Sequence, residues 1–155
     1  MFIRTFKVKK KTGTVILAAL FLSLIAAVVL IARASTGRAD IYTLKTEQDR
    51  QEFIHEMGWE ADKEYTECKV VLIPEKWNDV YEKYNELQKE QGFDLEDYKG
   101  KTCEIYTYKI HNYEGCDDSE EVYINLYICD GVLIGGDVCS WGLDGFMQGL
   151  KRSDN

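Results

Sequence analysis

The chain has 155 residues, a formal net charge of −8 and a single proline, and 45% of its residues are hydrophobic. This composition argues against a disordered chain, and the length allows one domain with a real core plus a short further segment. The acidic balance disfavours nucleic-acid binding, because phosphate contacts need a basic surface. No motif indicates a cofactor.

The most apolar segment is residues 15–32, eighteen consecutive residues without a charge. A run of this length can cross a membrane as a helix, which needs about 17–25 residues. Five basic residues and no acid precede it, so the positive-inside rule places the N-terminus in the cytoplasm. We therefore predict a single-pass protein of the cell membrane, with a basic tail over 1–14, a transmembrane helix over 15–34 and a tether over 35–43.

A cleaved secretory signal is the alternative to this anchor, since residues 32–34 (Ala-Arg-Ala) match a small-x-small cleavage pattern. The protein would then be secreted. In both cases one extracytoplasmic domain follows over 44–150, with a short tail over 151–155. From Asp40 onward, 12 basic residues face 27 acidic ones, which favours basic partners or cations, or simply solubility.

The first predicted element of the domain is a helix that begins after Thr46, whose side chain can cap it. Phe53, Ile54 and Met57 share one face of this helix at helical spacing. Gly58 suits the left-handed position at its C-terminus. Residues 67–73 are then predicted as a strand that ends at Pro74.

A second helix is predicted from about Glu75 to Gln91. Its large side chains form one stripe at helical spacing: Trp77, Val80, Tyr81, Tyr84, Leu87 and Gln91. Aromatic side chains at helical spacing are usually core, and a recognition groove formed by Trp77, Tyr81 and Tyr84 is the alternative. On the other side of the helix, Asp79 and Lys83 are spaced for an ion pair.

Three strands are predicted in the C-terminal half, over 101–113, 121–129 and 132–139. Asp130-Gly131 is a strong hairpin signal, and Gly135-Gly136 indicates a bulge or a close backbone approach. The order α-β-α-β-β-β predicts an α+β fold with an antiparallel four-stranded sheet covered on one face by two helices. The other face would expose four side chains, Thr107, Lys109, Tyr123 and Tyr127.

No catalytic motif stands out. The five cysteines form no C-x-x-C pair, and we expect most of them to be reduced and packed. His55 and His111 lie in no recognisable nucleophile motif. Paired carboxylates for glycoside hydrolysis and a divalent-cation loop at Asp117–Glu121 remain open as alternatives.

Uncharged polar residues follow one side of the second predicted helix, at Asn85, Gln88 and Gln91. Buried amides need hydrogen-bond partners. We expect them to bind the backbone of the following turn, Gly92–Leu95. Alternatively, they line a small polar pocket with Asp137.

Several motifs carry a family resemblance that extends from about Leu44 to Leu150. They are Gly58-Trp59, Tyr84-Asn85-x-x-Gln88-x-x-Gln91-Gly92-Phe93-Asp94-Leu95, Tyr98-x-Gly100, Tyr106-Thr107-Tyr108, Asn112-Tyr113, Asn125-Leu126, Ile134-Gly135-Gly136-Asp137 and Asp144-Gly145-Phe146-x-x-Gly149-Leu150. In these the chain resembles the domain-of-unknown-function family numbered 4830. It departs from the family at Glu114–Glu120, where a proline is more usual, and in its number of cysteines.

The resemblance implies an uncharacterised single-pass envelope protein of Gram-positive anaerobes, and it implies no activity. We therefore predict a membrane-anchored, non-enzymatic binding or protein-interaction module whose ligand is another envelope protein or a small molecule. The candidate binding residues are Asn85, Gln88, Asp137, Tyr123 and Tyr127, with no catalytic or metal-binding residue assigned. A small cell-envelope hydrolase and a divalent-cation-binding domain are the alternatives.

Overall fold

The structure is a computed structural model that describes residues 41–114, 121–141 and 145–152. Within these ranges the chain forms two α-helices, one short 3-10 helix and five strands. The helices are α1 (Glu47–Glu56), α2 (Asp79–Glu90) and the 3-10 helix Leu95–Tyr98. The strands are β1 (Glu67–Leu72), β2 (Thr102–Ile110), β3 (Val122–Cys129), β4 (Val132–Ser140) and β5 (Met147–Gln148).

The five strands form one antiparallel sheet in the order β1-β2-β3-β4-β5. The predicted four-stranded sheet is therefore wrong by one strand. β5 has two residues and pairs with β4 at Val138–Gln148 and Cys139–Met147. A two-residue strand is too short to show the alternation by which strands are identified in a sequence.

The two helices pack on opposite faces of the sheet, which corrects the prediction that both cover one face. α1 buries Phe53 and Ile54 in the core formed with Ile124 and Leu126 of β3. α2 contacts the other face, where Tyr84 meets Tyr127 and Asp137. The sequence pattern indicated an exposed face because its tyrosine and amide side chains are polar. In the structure a helix covers these side chains.

Tyr123 shows the same error at a single residue. It was expected on an exposed face, but only 5% of it is exposed. Its ring stacks on Trp141 with the ring centroids 4.5 Å apart, and its hydroxyl donates to the carboxylate of Glu121. Tyr123 is therefore unavailable as a binding surface.

Local signals in the sequence were read correctly at several ends of elements. Thr46 and Asp49 form a capping box at the start of α1. Asp130 and Gly131 both have positive φ, at 52° and 77°, as a tight two-residue hairpin requires. α2 begins four residues later than predicted because Asn78 caps it by accepting from the amide of Tyr81.

Several predictions fall on residues that the structure does not describe. The tail over 1–14 and the transmembrane helix over 15–34 lie before residue 41, and most of the acidic loop Asp117–Glu121 lies between 115 and 120. In the ranges that are described, no helix is long and apolar enough to cross a membrane.

Candidate functional site

Two glutamines, Gln88 in the last turn of α2 and Gln91 directly after it, fix the C-terminal end of this helix to the sheet. The Oε1 atom of Gln88 accepts from the amide of Gly136 at 2.8 Å. Gln91 donates from Nε2 to the carbonyl of Gly136 at 3.1 Å and accepts at Oε1 from the amide of Leu150 at 2.6 Å. We refer to these contacts of Gln88 and Gln91 as the glutamine clamp.

The clamp requires small residues on β4. A Cβ on Gly135 would lie 2.7 Å from Oε1 of Gln88, and one on Gly136 would lie 2.4 Å from the backbone oxygen of Asn125. The paired glycines therefore mark a close backbone approach, one of the two roles expected from the sequence. The register also shifts between Tyr127 and Ile128 of the neighbouring strand. This irregularity corresponds to the bulge, the other feature expected from the sequence.

A row of polar side chains crosses the sheet beneath α2. Thr107, Asn125 and Asp137 lie on three neighbouring strands in direct register. The hydroxyl of Thr107 donates to Oδ1 of Asn125 at 2.7 Å, and Nδ2 of Asn125 donates to Oδ1 of Asp137 at 2.9 Å. From the helix, the hydroxyl of Tyr84 donates to Oδ2 of Asp137 at 2.7 Å. Every oxygen of this buried carboxyl group therefore has a donor.

Burial dominates the electrostatics of this row. It raises the pKa of Asp137, although hydrogen bonds from Tyr84, Asn125 and Cys139 act in the opposite direction. Burial and the nearby Asp137 raise the pKa of Cys139 to about 11, and burial raises the pKa of Tyr127 to about 12. The thiol and the phenol therefore keep their protons near neutral pH and are weak nucleophiles.

Beside the polar row lies an open groove with a volume of about 520 Å3. α2 contributes most of its walls, β3 contributes one residue and β5 another. The lining residues are Val80, Tyr81, Lys83, Tyr84, Leu87, Tyr127 and Met147. We refer to this cavity as the tyrosine groove.

The walls of the tyrosine groove are mainly aromatic rings and aliphatic side chains. The rings of Tyr84 and Tyr127 are 5.6 Å apart and tilted by 41°, and Tyr81 stacks on Trp77 at 6.3 Å. Because the hydroxyl of Tyr84 is directed to Asp137, its polar end is already engaged. Val80, Tyr81 and Met147 are exposed, so the groove is open to solvent.

The predicted site residues do not form one site. Tyr127 lines the tyrosine groove, whereas Asp137 lies in the polar row behind Tyr84. Asn85 holds the turn after α2, since its Oδ1 accepts from the amide of Leu95 at 2.8 Å, as the first interpretation of the amides expected. Gln88 instead reaches β4 through the clamp.

Four of the groove residues were not foreseen as site residues from the sequence: Val80, Lys83, Leu87 and Met147. Val80 was assigned to the core stripe, but 72% of it is exposed. Lys83 was expected to pair with Asp79, yet no carboxylate of the described residues lies within 4.0 Å of its Nζ. The spacing of Tyr81 and Tyr84 was the available signal, through the recognition groove considered as an alternative for this stripe.

The remaining chemical candidates are scattered. His111 contacts Asp62 at 2.8 Å on the exposed surface, and Glu121, the end of the predicted cation loop, binds Lys109 at 2.8 Å. Over the described ranges, no three His, Cys, Asp or Glu side chains are grouped so that they could hold a metal ion. The cysteines in these ranges, Cys68, Cys103, Cys129 and Cys139, are free thiols.

The family model described as Domain of unknown function (DUF4830) matches residues 53–138, which is more than half of the 155 residues. The matched segment begins within α1 and ends within β4, so it includes the polar row and the glycines of the clamp. No curated protein and no solved structure gave a significant match. The match confirms the resemblance seen in the sequence: the chain belongs to the family described as Domain of unknown function (DUF4830).

Proposed function

We propose that the domain is a non-enzymatic binding module that takes a small, mainly apolar ligand into the tyrosine groove. One observation carries this proposal: a chain in which 30% of residues are charged keeps an open apolar cavity of about 520 Å3. Ligand clefts typically enclose about 300–1,000 Å3 and have apolar walls with few polar groups. The tyrosine groove matches that size and that lining.

The floor of the groove is held in place before any ligand arrives. Tyr84 is fixed by its hydrogen bond to Asp137, and α2 is fixed by the glutamine clamp. A ligand therefore does not have to order these side chains, and a rigid site retains more of the interaction energy as affinity.

Binding is favoured over catalysis because the buried carboxyl group is out of reach. Asp137 is 2% exposed, and the lining of the groove includes no carboxylate, histidine or thiol among the described residues. A general acid or base must lie within hydrogen-bond distance of the reacting group. The groups within hydrogen-bond distance of Asp137 are instead the hydroxyl of Tyr84 and the amide of Asn125.

The location of the module is proposed from the sequence alone. Residues 15–32 carry no charge and follow a basic segment, which supports attachment to the cell membrane with the domain on the outer side. Extraction of membranes at high pH tests this, since an anchored protein stays with the lipid. A soluble protein that lacks its first residues by mass spectrometry would indicate cleavage and secretion instead.

The binding proposal is tested by titrating the protein with 1-octanol and following the methyl signal of Met147 by NMR. We expect a saturable shift of Met147 and of nearby Leu87. Val80→Glu places a carboxylate at the mouth of the groove and should abolish the shift.

Val70→Glu is the matched control, because Val70 is 68% exposed against 72% for Val80 but lies on β1. It should bind octanol as the unmodified protein does. Saturable binding that persists in Val80→Glu, or no binding of octanol to the folded domain, would disprove the proposal.

A further inference from the structure

We propose that the ligand of the tyrosine groove is an amphiphilic anion, whose apolar body lies between the tyrosine rings and whose acidic head contacts the ammonium of Lys83. This inference rests on the proposed function, and it adds the chemical class of the ligand. The two parts of such a ligand correspond to the two parts of the groove, which are an apolar wall and one cation.

Among the residues that the structure describes, Lys83 is the only cation in the lining of the groove. Among the described residues, no carboxylate lies within 4.0 Å of its Nζ, whereas Lys69, Lys89, Lys99 and Lys109 each have one. Lys69 pairs with Glu67 at 2.6 Å, for example, and Lys109 with Glu121 at 2.8 Å. Lys83 is thus a cation beside an apolar cavity that forms no ion pair within these ranges.

The helix offers Lys83 a partner that it does not use. Asp79 precedes it by four residues, the spacing at which acidic and basic side chains meet on a helix. Asp79 lies in the first turn of α2, where the partial positive charge of the helix N-terminus already favours an acid. Lys83 lines the cavity instead.

The rest of the lining favours an apolar body and offers no site for a cationic head. The seven lining residues include no acid. The carboxyl group of the polar row belongs to Asp137. Tyr84 covers it and donates a hydrogen bond to it. A cation would gain contact with aromatic rings but would approach Lys83 without a compensating negative charge.

The acidic character of the domain acts against an anion, both at long range and through Asp79 and Glu86, which lie one helical turn from Lys83. Interactions between exposed charges are largely screened beyond about 8 Å at physiological ionic strength. A head group in contact with Lys83 is well inside that distance. Contact with Lys83 therefore favours an anionic head, while the surrounding acids reduce this preference and lower the rate of encounter.

The test compares three probes that share one eight-carbon chain and differ only in the head: octanoate, 1-octanol and octyltrimethylammonium. Octanoate and octyltrimethylammonium are titrated into the full chain below their micelle concentrations and 1-octanol below its solubility limit, with the methyl signal of Met147 as the readout. We expect octanoate to bind about fivefold more tightly than octanol, as for one partly exposed ion pair. The ammonium probe should bind most weakly.

Lys83→Met removes the charge and keeps an unbranched apolar side chain. It should reduce the affinity for octanoate to that for octanol and leave octanol unchanged. Lys76→Met is the matched control, since Lys76 is exposed, precedes the same helix and does not line the groove. It should leave all three affinities unchanged.

The outcomes separate this inference from the function on which it rests. If all three probes bind with equal affinity, or if the ammonium probe binds most tightly, the anionic head is disproved while groove binding stands. An octanoate preference that survives in Lys83→Met also disproves the role of Lys83. If octanol does not bind the folded protein, the proposed function itself fails.

Discussion

Asp137 is a carboxyl group held inside the domain by uncharged donors. Tyr84 and Asn125 each donate to one of its oxygens, and no cation of the described residues forms an ion pair with it. Without a compensating positive charge, the cost of desolvating the ionised form raises its pKa. The folded protein therefore holds this proton more tightly than the unfolded chain does.

This sign leads to a prediction for Asp137→Asn. A raised pKa means that Asp137 contributes most stability below the unfolded pKa of about 3.9, and that this contribution is lost as pH rises through the folded pKa. Asparagine keeps the shape and can still hydrogen-bond with Tyr84 and Asn125. The difference in unfolding free energy, unmodified protein minus Asp137→Asn, should therefore decrease from pH 4 to pH 7.

Urea unfolding of both proteins across that pH range measures the difference directly. The other carboxyl groups are common to both proteins, so their titration cancels in the subtraction. A difference that stays constant, or that increases toward pH 7, would show that burial does not raise the pKa of Asp137.

At the level of secondary-structure elements, the close packing of α2 and that of the neighbouring strand β3 both require small residues on β4. Gly135 faces Gln88 of α2, whereas Gly136 faces the backbone of Asn125 and the side chain of Leu150. The two glycines are adjacent but differ in what a side chain would meet. One would meet the end of a side chain and the other a backbone oxygen, which cannot move without disturbing the sheet.

Gly136→Ala should therefore destabilise the domain more than Gly135→Ala. Overpacking typically costs about 1–3 kcal/mol; we expect about 3 kcal/mol or more for Gly136→Ala and about 1 kcal/mol for Gly135→Ala. Urea denaturation of the two variants provides the measurement, and each serves as the control for the other. Equal losses, or a larger loss for Gly135→Ala, would contradict the geometry of β4.

Elements that depend on neighbouring residues were predictable from the sequence. The cap at Thr46, the hairpin at Asp130-Gly131 and the first four strands follow from local chemistry. β5 and the distribution of the helices over two faces were not predictable, because both depend on contacts between distant segments. The alternation along β3 places Tyr123 on the same face of the sheet whether the helices cover one face or both. Its burial follows from its packing against Trp141, which the alternation does not show.

The candidate site was predictable only in part, for a related reason. Asp137 and Tyr127 stood out as polar or aromatic residues on a predicted sheet, and the structure places them on the α2 side. The groove itself needs Met147, which belongs to the strand that the pattern did not show. The absence of a carboxylate partner for Lys83 among the described residues could not be foreseen, since its spacing from Asp79 suggests a pair.

For the whole molecule, the thiols provide a measure of how completely the fold excludes solvent. Cys68 is exposed, whereas Cys103, Cys129 and Cys139 are buried. Burial raises the pKa of Cys103 to about 11 and also raises that of Cys129. Since the thiolate is the reactive form, low exposure and a raised pKa both protect these three side chains.

A short pulse of iodoacetamide at pH 8, followed by peptide mass spectrometry, should label Cys68 at least about tenfold faster than the three buried thiols. In increasing urea, the three should become reactive together at the unfolding midpoint, because small domains unfold cooperatively. Rapid labelling of Cys139 in native conditions would show that the α2 side of the sheet is open to solvent.

The glutamine clamp has a consequence for hydrogen exchange. Gln88 and Gln91 hold the amide protons of Gly136 and Leu150, and Leu150 lies outside the named helices and strands. Its amide would exchange rapidly if only regular secondary structure protected it. Here its exchange requires release of Gln91, so it reports on separation of α2 from the sheet. Opening of the groove wall can therefore be followed at two amides that lie outside the groove lining.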